Sequence, residues 1–334
     1  MLRWIFGGLL TLIGLVAVIA VSAYFMLKRD DIPYETLESQ YTSPASQFID
    51  LPGGIHMHYR EQGQDAQAPT VLLVHGFSAS LHTWEPWVER LSEDYHVVSL
   101  DLPGHGLTRA PAGYQASIEG YRDVVHDFAA ARGLMRFVLV GNSMGGNIAW
   151  QYARAYPDQV LGLILVDASG WEDTRAEAQT EPSVFKLLRN PTLAPLLRDL
   201  DNTRLTRQGL EAAFYDPTLV TDDMVERYSR LSRAPGHRDI LLQITLGFRA
   251  REYATAERLA ELHMPVLIMT GDTDRLVPPE HAQQFHDAIA GSQLIVFPQT
   301  GHIPQEERAD DSAEAAKEFL FAVFEGSALA PGAE

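Results

Sequence analysis

The residues with the clearest chemical potential lie at Gly141–Gly145, where Gly-Asn-Ser-Met-Gly separates an apolar run from a helical pattern. The spacing predicts a buried strand over Arg136–Val140 and a helix over Met144–Tyr156. A serine in so tight a strand-to-helix turn is pushed out above the sheet edge, and its flanking glycines are needed because the two backbones nearly touch. We therefore predict that Ser143 is a nucleophile; the alternative is a glycine turn with an idle serine.

A serine hydroxyl is a weak nucleophile and needs an imidazole beside it to take its proton. Among the 12 histidines, His302 is the one that follows a predicted strand late in the chain. A carboxylate must then orient that histidine and stabilise its cationic form. Asp274, Asp272 and Asp167 each follow a predicted strand, and the residues alone leave all three open.

Acyl transfer also places negative charge on the former carbonyl oxygen, which two backbone amides must stabilise. The amide of Met144 is one candidate, because it follows the nucleophile at the start of a helix. The amide of Phe77 is the other, because it follows His75-Gly76 at the end of an early strand. Neither side chain takes part in this chemistry, so only the positions matter.

These residues must be positioned by a sheet, and strands that are apolar on both faces alternate with helical patterns along the chain. Such alternation predicts an α/β fold with a mostly parallel central sheet flanked by helices. A hairpin is predicted first, followed by the loop Asp101–Gly106, which we expect to brace the sheet edge with a structural His105. The predicted strands are Phe48–Leu51, Ile55–Arg60, Val71–His75, Val97–Leu100, Arg136–Val140, Leu161–Val166, Pro265–Thr270 and Gln293–Pro298.

The alternation stops after Gly170 and resumes at Pro265. Residues 171–264 carry helical patches broken by prolines and no clear strand, which predicts a helical cap inserted into the core, itself formed by residues 47–170 and 265–325. A tail is predicted at 326–334. Apolar cap side chains that could line an acyl pocket are Phe185, Leu187, Leu188, Leu196, Leu197, Phe214 and Phe248.

The segment Trp4–Leu27 is uncharged and is flanked by Arg3 and by Lys28-Arg29. As a helix it would span roughly 36 Å, enough to cross a bilayer. We predict a transmembrane anchor over residues 1–29, a polar linker over 30–46, and a single-pass membrane protein whose catalytic domain lies outside the cytoplasm. The alternative is a signal peptide cleaved after Val21-Ser22-Ala23, followed by secretion.

Composition excludes several functions. A formal net charge of −18 argues against nucleic acid as a partner, since no basic stripe offsets the repulsion. The absence of cysteine removes disulfides, thiolate catalysis and cysteine-based zinc sites together. His56 and His58 share one face of a predicted strand and could bind a metal, but without a third ligand nearby we expect solvated side chains.

The serine elbow, the early His-Gly, the late acid and the Gly-His near the end occur in the order Ser, Asp, His. Over residues 48–325 this arrangement resembles the α/β-hydrolase family. The family spacing Gly-x-x-Asp-x-x-x-Pro favours Asp274 as the acid, while Asp167 holds the position used in some branches of the family.

Gly-Asn-Ser-Met-Gly-Gly and Leu-Val-Asp-Ala-Ser-Gly, together with the cap, are similar to bacterial lipases and carboxylesterases. The resemblance implies hydrolysis of small-molecule esters or lipids through an acyl-enzyme, with no metal or cofactor. One alternative is a carbon–carbon bond hydrolase of ring-cleavage products with the same triad. A non-catalytic binding protein with this fold is the other.

Overall fold

Eight strands form one sheet in the order β1-β2-β4-β3-β5-β6-β7-β8. The structure, a computed structural model, describes residues 2–64, 68–174, 189–190, 192–247 and 252–328. Strand β2 is antiparallel to both of its neighbours, β1 and β4, and every other pair is parallel, as the alternation predicted. The strands are β1 (Ser46–Leu51), β2 (Ile55–Gly63), β3 (Thr70–Val74), β4 (His96–Leu100), β5 (Phe137–Asn142), β6 (Val160–Val166), β7 (Val266–Gly271) and β8 (Gln293–Phe297).

The helices of the described residues cover both faces of this sheet and fill the interval between β6 and β7. They are α1 (Leu2–Leu27), α2 (Tyr34–Tyr41), α3 (Glu85–Leu91), α4 (Ile118–Ala131), α5 (Met144–Ala155), α6 (Ala194–Arg198), α7 (Thr203–Ala213), α8 (Asp222–Leu231), α9 (His237–Gly247), α10 (Ala256–Leu259), α11 (Pro279–Ala288), α12 (Pro304–Glu307) and α13 (Ala309–Ala328). Helix α13 runs past residue 325 into the predicted tail, of which residues 329–334 lie outside the described ranges.

The core consists of two apolar layers, one on each face of the sheet. Strands β3, β4, β5 and β7 are buried at every position, so each contributes side chains to both layers. On one face α4, α5 and α11 supply residues such as Phe128, Trp150 and Phe285. On the other face α3 and α13 supply Trp87 and Phe319. These four strands are therefore closed to water on both faces, and a ligand can reach them only at their ends.

Between β6 and β7 the described residues contain helices α6–α10 and no strand. Helices α7 and α8 share a small apolar core that includes Phe214 and, from the main body, Ile303. Phe214 therefore packs inside the cap, and Leu196 is exposed. Among the other side chains expected to line an acyl pocket, Leu197 is partly exposed, and Phe185, Leu187, Leu188 and Phe248 lie outside the described residues.

The residues at the end of α1 and just after it bond directly to the cap. Lys28 forms a β-bridge with Leu200, and the amide of Asp201 donates to the carbonyl oxygen of Leu27 at 2.8 Å. The guanidinium of Arg29 pairs with the Asp201 carboxylate at 2.8 Å. Among the residues described with their side chains, no helix combines the length and the apolar character needed to cross a membrane.

Residues 30–46, which we expected to be a linker, contain α2 and lie against the body of the protein. Ile32 and Leu37 are buried in a cluster with Leu107, Leu231 and Ala234, which come from the main body and the cap. The sequence suggested a spacer because most residues of this segment are polar or proline. The two inward-facing apolar side chains, Ile32 and Leu37, are too few to form a recognisable pattern.

Candidate functional site

Ser143 occupies a strained turn between β5 and α5. Its φ is 56° and its ψ is −116°, a conformation that non-glycine residues adopt only when the surroundings impose it. A methyl group on Gly141 would lie 2.2 Å from the carbonyl oxygen of Gly145, and one on Gly145 would lie 2.2 Å from that of Val74. Close backbone approach thus requires both glycines and holds the serine, which is partly exposed, at the carboxyl end of the sheet.

The turn after β3 packs against this elbow and is fixed by His75. The amide of Leu102 donates to Nε2 of His75 at 3.0 Å, so Nδ1 carries the proton and donates to the carbonyl oxygen of Gly76 at 2.7 Å. Burial lowers the pKa of His75 and favours this neutral form. Among the described residues, the amides of Phe77 and Met144 donate to no acceptor. Two backbone donors therefore flank the elbow and are free for a ligand.

His302 and Asp274 form a buried hydrogen-bonded pair at the ends of β8 and β7. Nδ1 of His302 donates to Oδ2 of Asp274 at 2.7 Å. The second oxygen, Oδ1, accepts the amides of Leu276 at 2.7 Å and Val277 at 3.0 Å. Three N–H donors therefore hold this carboxyl group in place, and the ring of His302 presents Nε2 as its remaining polar atom.

The serine loop and the histidine loop are joined through Asn142. Its side-chain amide donates to the carbonyl oxygens of Val166 and His302, each at 3.1 Å. In the described part of the chain, the hydroxyl of Ser143 makes no hydrogen bond to His302. Such bonds are often long in ligand-free enzymes and tighten when substrate binds.

The other two aspartates occupy different positions. Asp272 accepts the amide of Thr300 at 3.4 Å, while Asp274 is the one bonded to His302. Asp167 is buried beside that pair, with a φ of 43°. One donor atom from each of Asp167, Asp274 and His302 lies within 4.8 Å of the others, a grouping that could hold a metal ion. A metal bound to Nδ1 of His302 would have to break the hydrogen bond between that nitrogen and Asp274.

The loop that carries His302 is also held by the cap, which the sequence did not predict. The amide of His302 donates to the carbonyl oxygen of Ala213, the last residue of α7, at 2.6 Å. The carboxylate of Glu307 accepts the amides of Gly301 at 2.6 Å, Asp216 at 2.9 Å and Tyr215 at 3.1 Å. Core and cap therefore meet at the candidate base.

His58 is buried, and our expectation of a solvated side chain was wrong for it. The ring of Phe48, the residue opposite His58 on β1, packs against the His58 ring with their centroids 5.0 Å apart. The ring pairs through Nδ1 with Oδ2 of Asp101 at 2.7 Å and through Nε2 with Ser46 Oγ at 2.9 Å.

Asp101 also accepts the amides of Leu81 at 2.8 Å and Leu107 at 2.9 Å. Burial by itself would raise the pKa of Asp101. The hydrogen bond and charge of His58 instead hold that pKa well below its usual range. The Asp101–Gly106 loop thus braces the end of β4 next to the Phe77 turn.

Comparison with known proteins gives three consistent findings. The family described as alpha/beta hydrolase fold matches residues 69–309. A dihydrolipoyllysine-residue acetyltransferase component of the acetoin cleaving system of Cupriavidus necator is 30% identical over 94% of this chain and 81% of its own length. Lipase 1 of Psychrobacter immobilis is 29% identical over 81% of this chain and 82% of its own. The crystal structure of a membrane phospholipase A is 29% identical, with a TM-score of 0.70 over 97% of this chain and 99% of that one.

Proposed function

Since this chain belongs to the α/β-hydrolase fold family, we propose that it is a serine hydrolase that cleaves carboxylic esters with hydrophobic acyl groups. The observation that carries the proposal is the strained Ser143 beside the buried His302–Asp274 pair, with two free amides at the same sheet end. That it is a hydrolase of this family follows from its relatives, and the choice of ester bonds is the proposal.

In the proposed reaction Nε2 of His302 removes the proton of Ser143 as Oγ attacks the ester carbonyl carbon. The carbonyl oxygen becomes an oxyanion that accepts hydrogen bonds from the amides of Phe77 and Met144. His302 then returns the proton to the leaving alcohol, which departs and leaves an acyl-enzyme on Ser143. Water, activated by the same imidazole, attacks the acyl-enzyme, releases the acid and restores the serine. Asp274 stabilises the imidazolium of His302 during both formation and hydrolysis of the acyl-enzyme.

Two similarities support esters over carbon–carbon bonds. The relatives of 29% identity include Lipase 1 of Psychrobacter immobilis and a membrane phospholipase A, whose names refer to the cleavage of esters. A carbon–carbon hydrolase would use the same three residues, so the triad geometry alone does not separate the two reactions.

We expect kcat/KM on p-nitrophenyl esters to rise from acetate to at least hexanoate, by about tenfold for each two added carbons. The reason is that each buried methylene contributes about 0.8 kcal/mol of transfer free energy while the acyl pocket has room. The leaving group stays constant through the series, so only the acyl chain is compared. Ser143→Ala measured on the same esters gives the background rate.

A flat or falling series, together with fast turnover of a vinylogous diketone, would assign the chain to the carbon–carbon hydrolases. No turnover of either substrate class would support a binding role for the fold.

We also propose that α1 anchors the protein in a membrane, with the catalytic domain outside the cytoplasm. Support comes from the uncharged run Trp4–Leu27, which lies within the 26-residue helix α1. The large apolar side chains described for this helix are at least half exposed, and such a surface needs an apolar cover. Those side chains are Phe6, Leu12, Leu15, Val16, Val18, Ile19, Val21, Phe25, Met26 and Leu27.

Full-length protein is expected to stay in the membrane fraction through a high-salt wash, and a shortened chain that begins at Leu27 is expected to be soluble and active. The cut is placed there because Leu27 and Arg29 bond to the cap and must be retained. If expression of the full-length sequence instead yields a soluble protein whose amino terminus lies near Tyr24, residues 1–23 are a cleaved signal peptide.

A further inference from the structure

A second carboxyl group lies next to the Asp274–His302 pair of the proposed triad, and the reaction described above does not use it. Asp167 directly follows β6, which lies next to β7, and is 1% exposed. Its Oδ1 accepts the hydroxyl of Thr270 at 2.8 Å and the amide of Gly271 at 3.0 Å. Its Oδ2 is buried and has no hydrogen-bond partner among the described residues.

The Asp167 carboxyl group lies in a cluster with two other titratable groups. Asp274, from the loop after β7, and His302, from the loop after β8, are the titratable side chains that face Asp167 in the described part of the chain. Two ionised carboxylates offer each other only lone pairs, so they repel when they are buried together. If one carboxyl keeps its proton, the same contact becomes a hydrogen bond.

The partners of each group indicate which carboxyl holds the proton. Asp274 already accepts three N–H donors, from His302, Leu276 and Val277, so each of its oxygens faces a donor. Asp167 has donors on one oxygen only. Burial raises the pKa of the Asp167 carboxyl well above its ordinary value, and the charge of Asp274 raises that pKa further.

We propose that Asp167 is a positioning residue that keeps a proton on Oδ2 and donates it as a hydrogen bond to Asp274. The buried cluster then carries one negative charge opposite the imidazole. A second negative charge there would favour the imidazolium over the neutral imidazole that Ser143 needs as a base. This inference rests on the proposed serine hydrolase function.

Two replacements of Asp167 by residues of similar size distinguish a hydrogen-bond donor at this position from a side chain that only packs there. Asp167→Asn keeps an acceptor for Thr270 and Gly271 and offers an N–H to Asp274, as the protonated acid does. Asp167→Leu has no polar atom. We expect kcat/KM of the Asn variant within about threefold of wild type and that of the Leu variant lower by about tenfold to a hundredfold.

The pH profile supplies a readout that a purely structural role would not give. If Asp167 is already neutral, Asp167→Asn removes no charge, so the acid limb of the kcat/KM profile between pH 5 and 8 is expected to stay in place. A displacement of that limb to lower pH by about one unit would mean that Asp167 is ionised in the wild-type enzyme, and would overturn the inference.

Other results would also overturn it. Loss of about four decades of activity in Asp167→Asn would make Asp167 the catalytic acid. Equal activity of the Asn and Leu variants would show that no donor is needed. If Asp167→Leu does not fold, the pH profile of Asp167→Asn against wild type still decides. Labelling of wild-type Ser143 by a fluorophosphonate is the separate test of the underlying function, so the two failures are distinguishable.

Discussion

Replacing Ser143 by alanine is expected to abolish fluorophosphonate labelling and to lower kcat on p-nitrophenyl hexanoate by about 10⁴- to 10⁶-fold. The loss is this large because the substitution removes the atom that forms the acyl-enzyme, and His302 and Asp274 have no role without it. The fold is expected to persist, since alanine keeps the Cβ and the amide of residue 143 still donates to Val166 at 3.0 Å.

Ser169 provides a matched control for this experiment. It is a buried serine whose hydroxyl donates to the carbonyl oxygen of Ser143 at 3.3 Å, so it lies next to the elbow. Ser169→Ala is expected to keep labelling and to lose less than about tenfold in kcat, because it removes one neutral hydrogen bond. Persistent labelling or near wild-type turnover in Ser143→Ala would mean that another residue is the nucleophile.

Asp274→Asn is expected to lower kcat by about 10⁴-fold. An amide in place of this carboxylate does not stabilise the imidazolium and can hold His302 in the wrong tautomer. The change also leaves the amides of Leu276 and Val277 facing a weaker acceptor. Steady-state kinetics at a fixed pH on one ester measure the effect, with thermal unfolding as a check on folding.

Asp272→Asn is the matched control, since it alters a carboxylate two residues away whose described bond to the amide of Thr300 is long, at 3.4 Å. We expect less than about tenfold loss there. A larger loss in the Asp272 variant than in the Asp274 variant would assign the acid to Asp272.

The parts of the fold that could be predicted are those whose structure is determined by residues close together in the sequence. The glycines at 141 and 145 and the apolar run before Ser143 together indicated a close strand–helix turn, and the structure has that turn. Strands buried on both faces likewise indicated a parallel sheet, because amphipathic strands would have alternated.

The contacts that could not be predicted are those between elements that are distant in the sequence and adjacent in the fold. Asp167 and Asp274 are far apart in the chain and meet because β6 and β7 are adjacent. His58 is buried against the ring of Phe48 from β1 and the carboxylate of Asp101, which follows β4. Nothing in the sequence singles out Glu307, yet its carboxylate accepts the amides of two cap residues. Periodicity carries no information on such contacts.

Helix α7 lies between two backbone hydrogen bonds, one to the exit of α1 and one to the loop that carries His302. Asp201, two residues before it, bonds to Leu27 at the exit of α1, and its last residue, Ala213, bonds to the amide of His302. An α-helix of 11 residues is a stiff rod of about 16 Å. The exit of α1 and the backbone of the candidate base are thus connected through one short helix, with a backbone hydrogen bond near each of its ends.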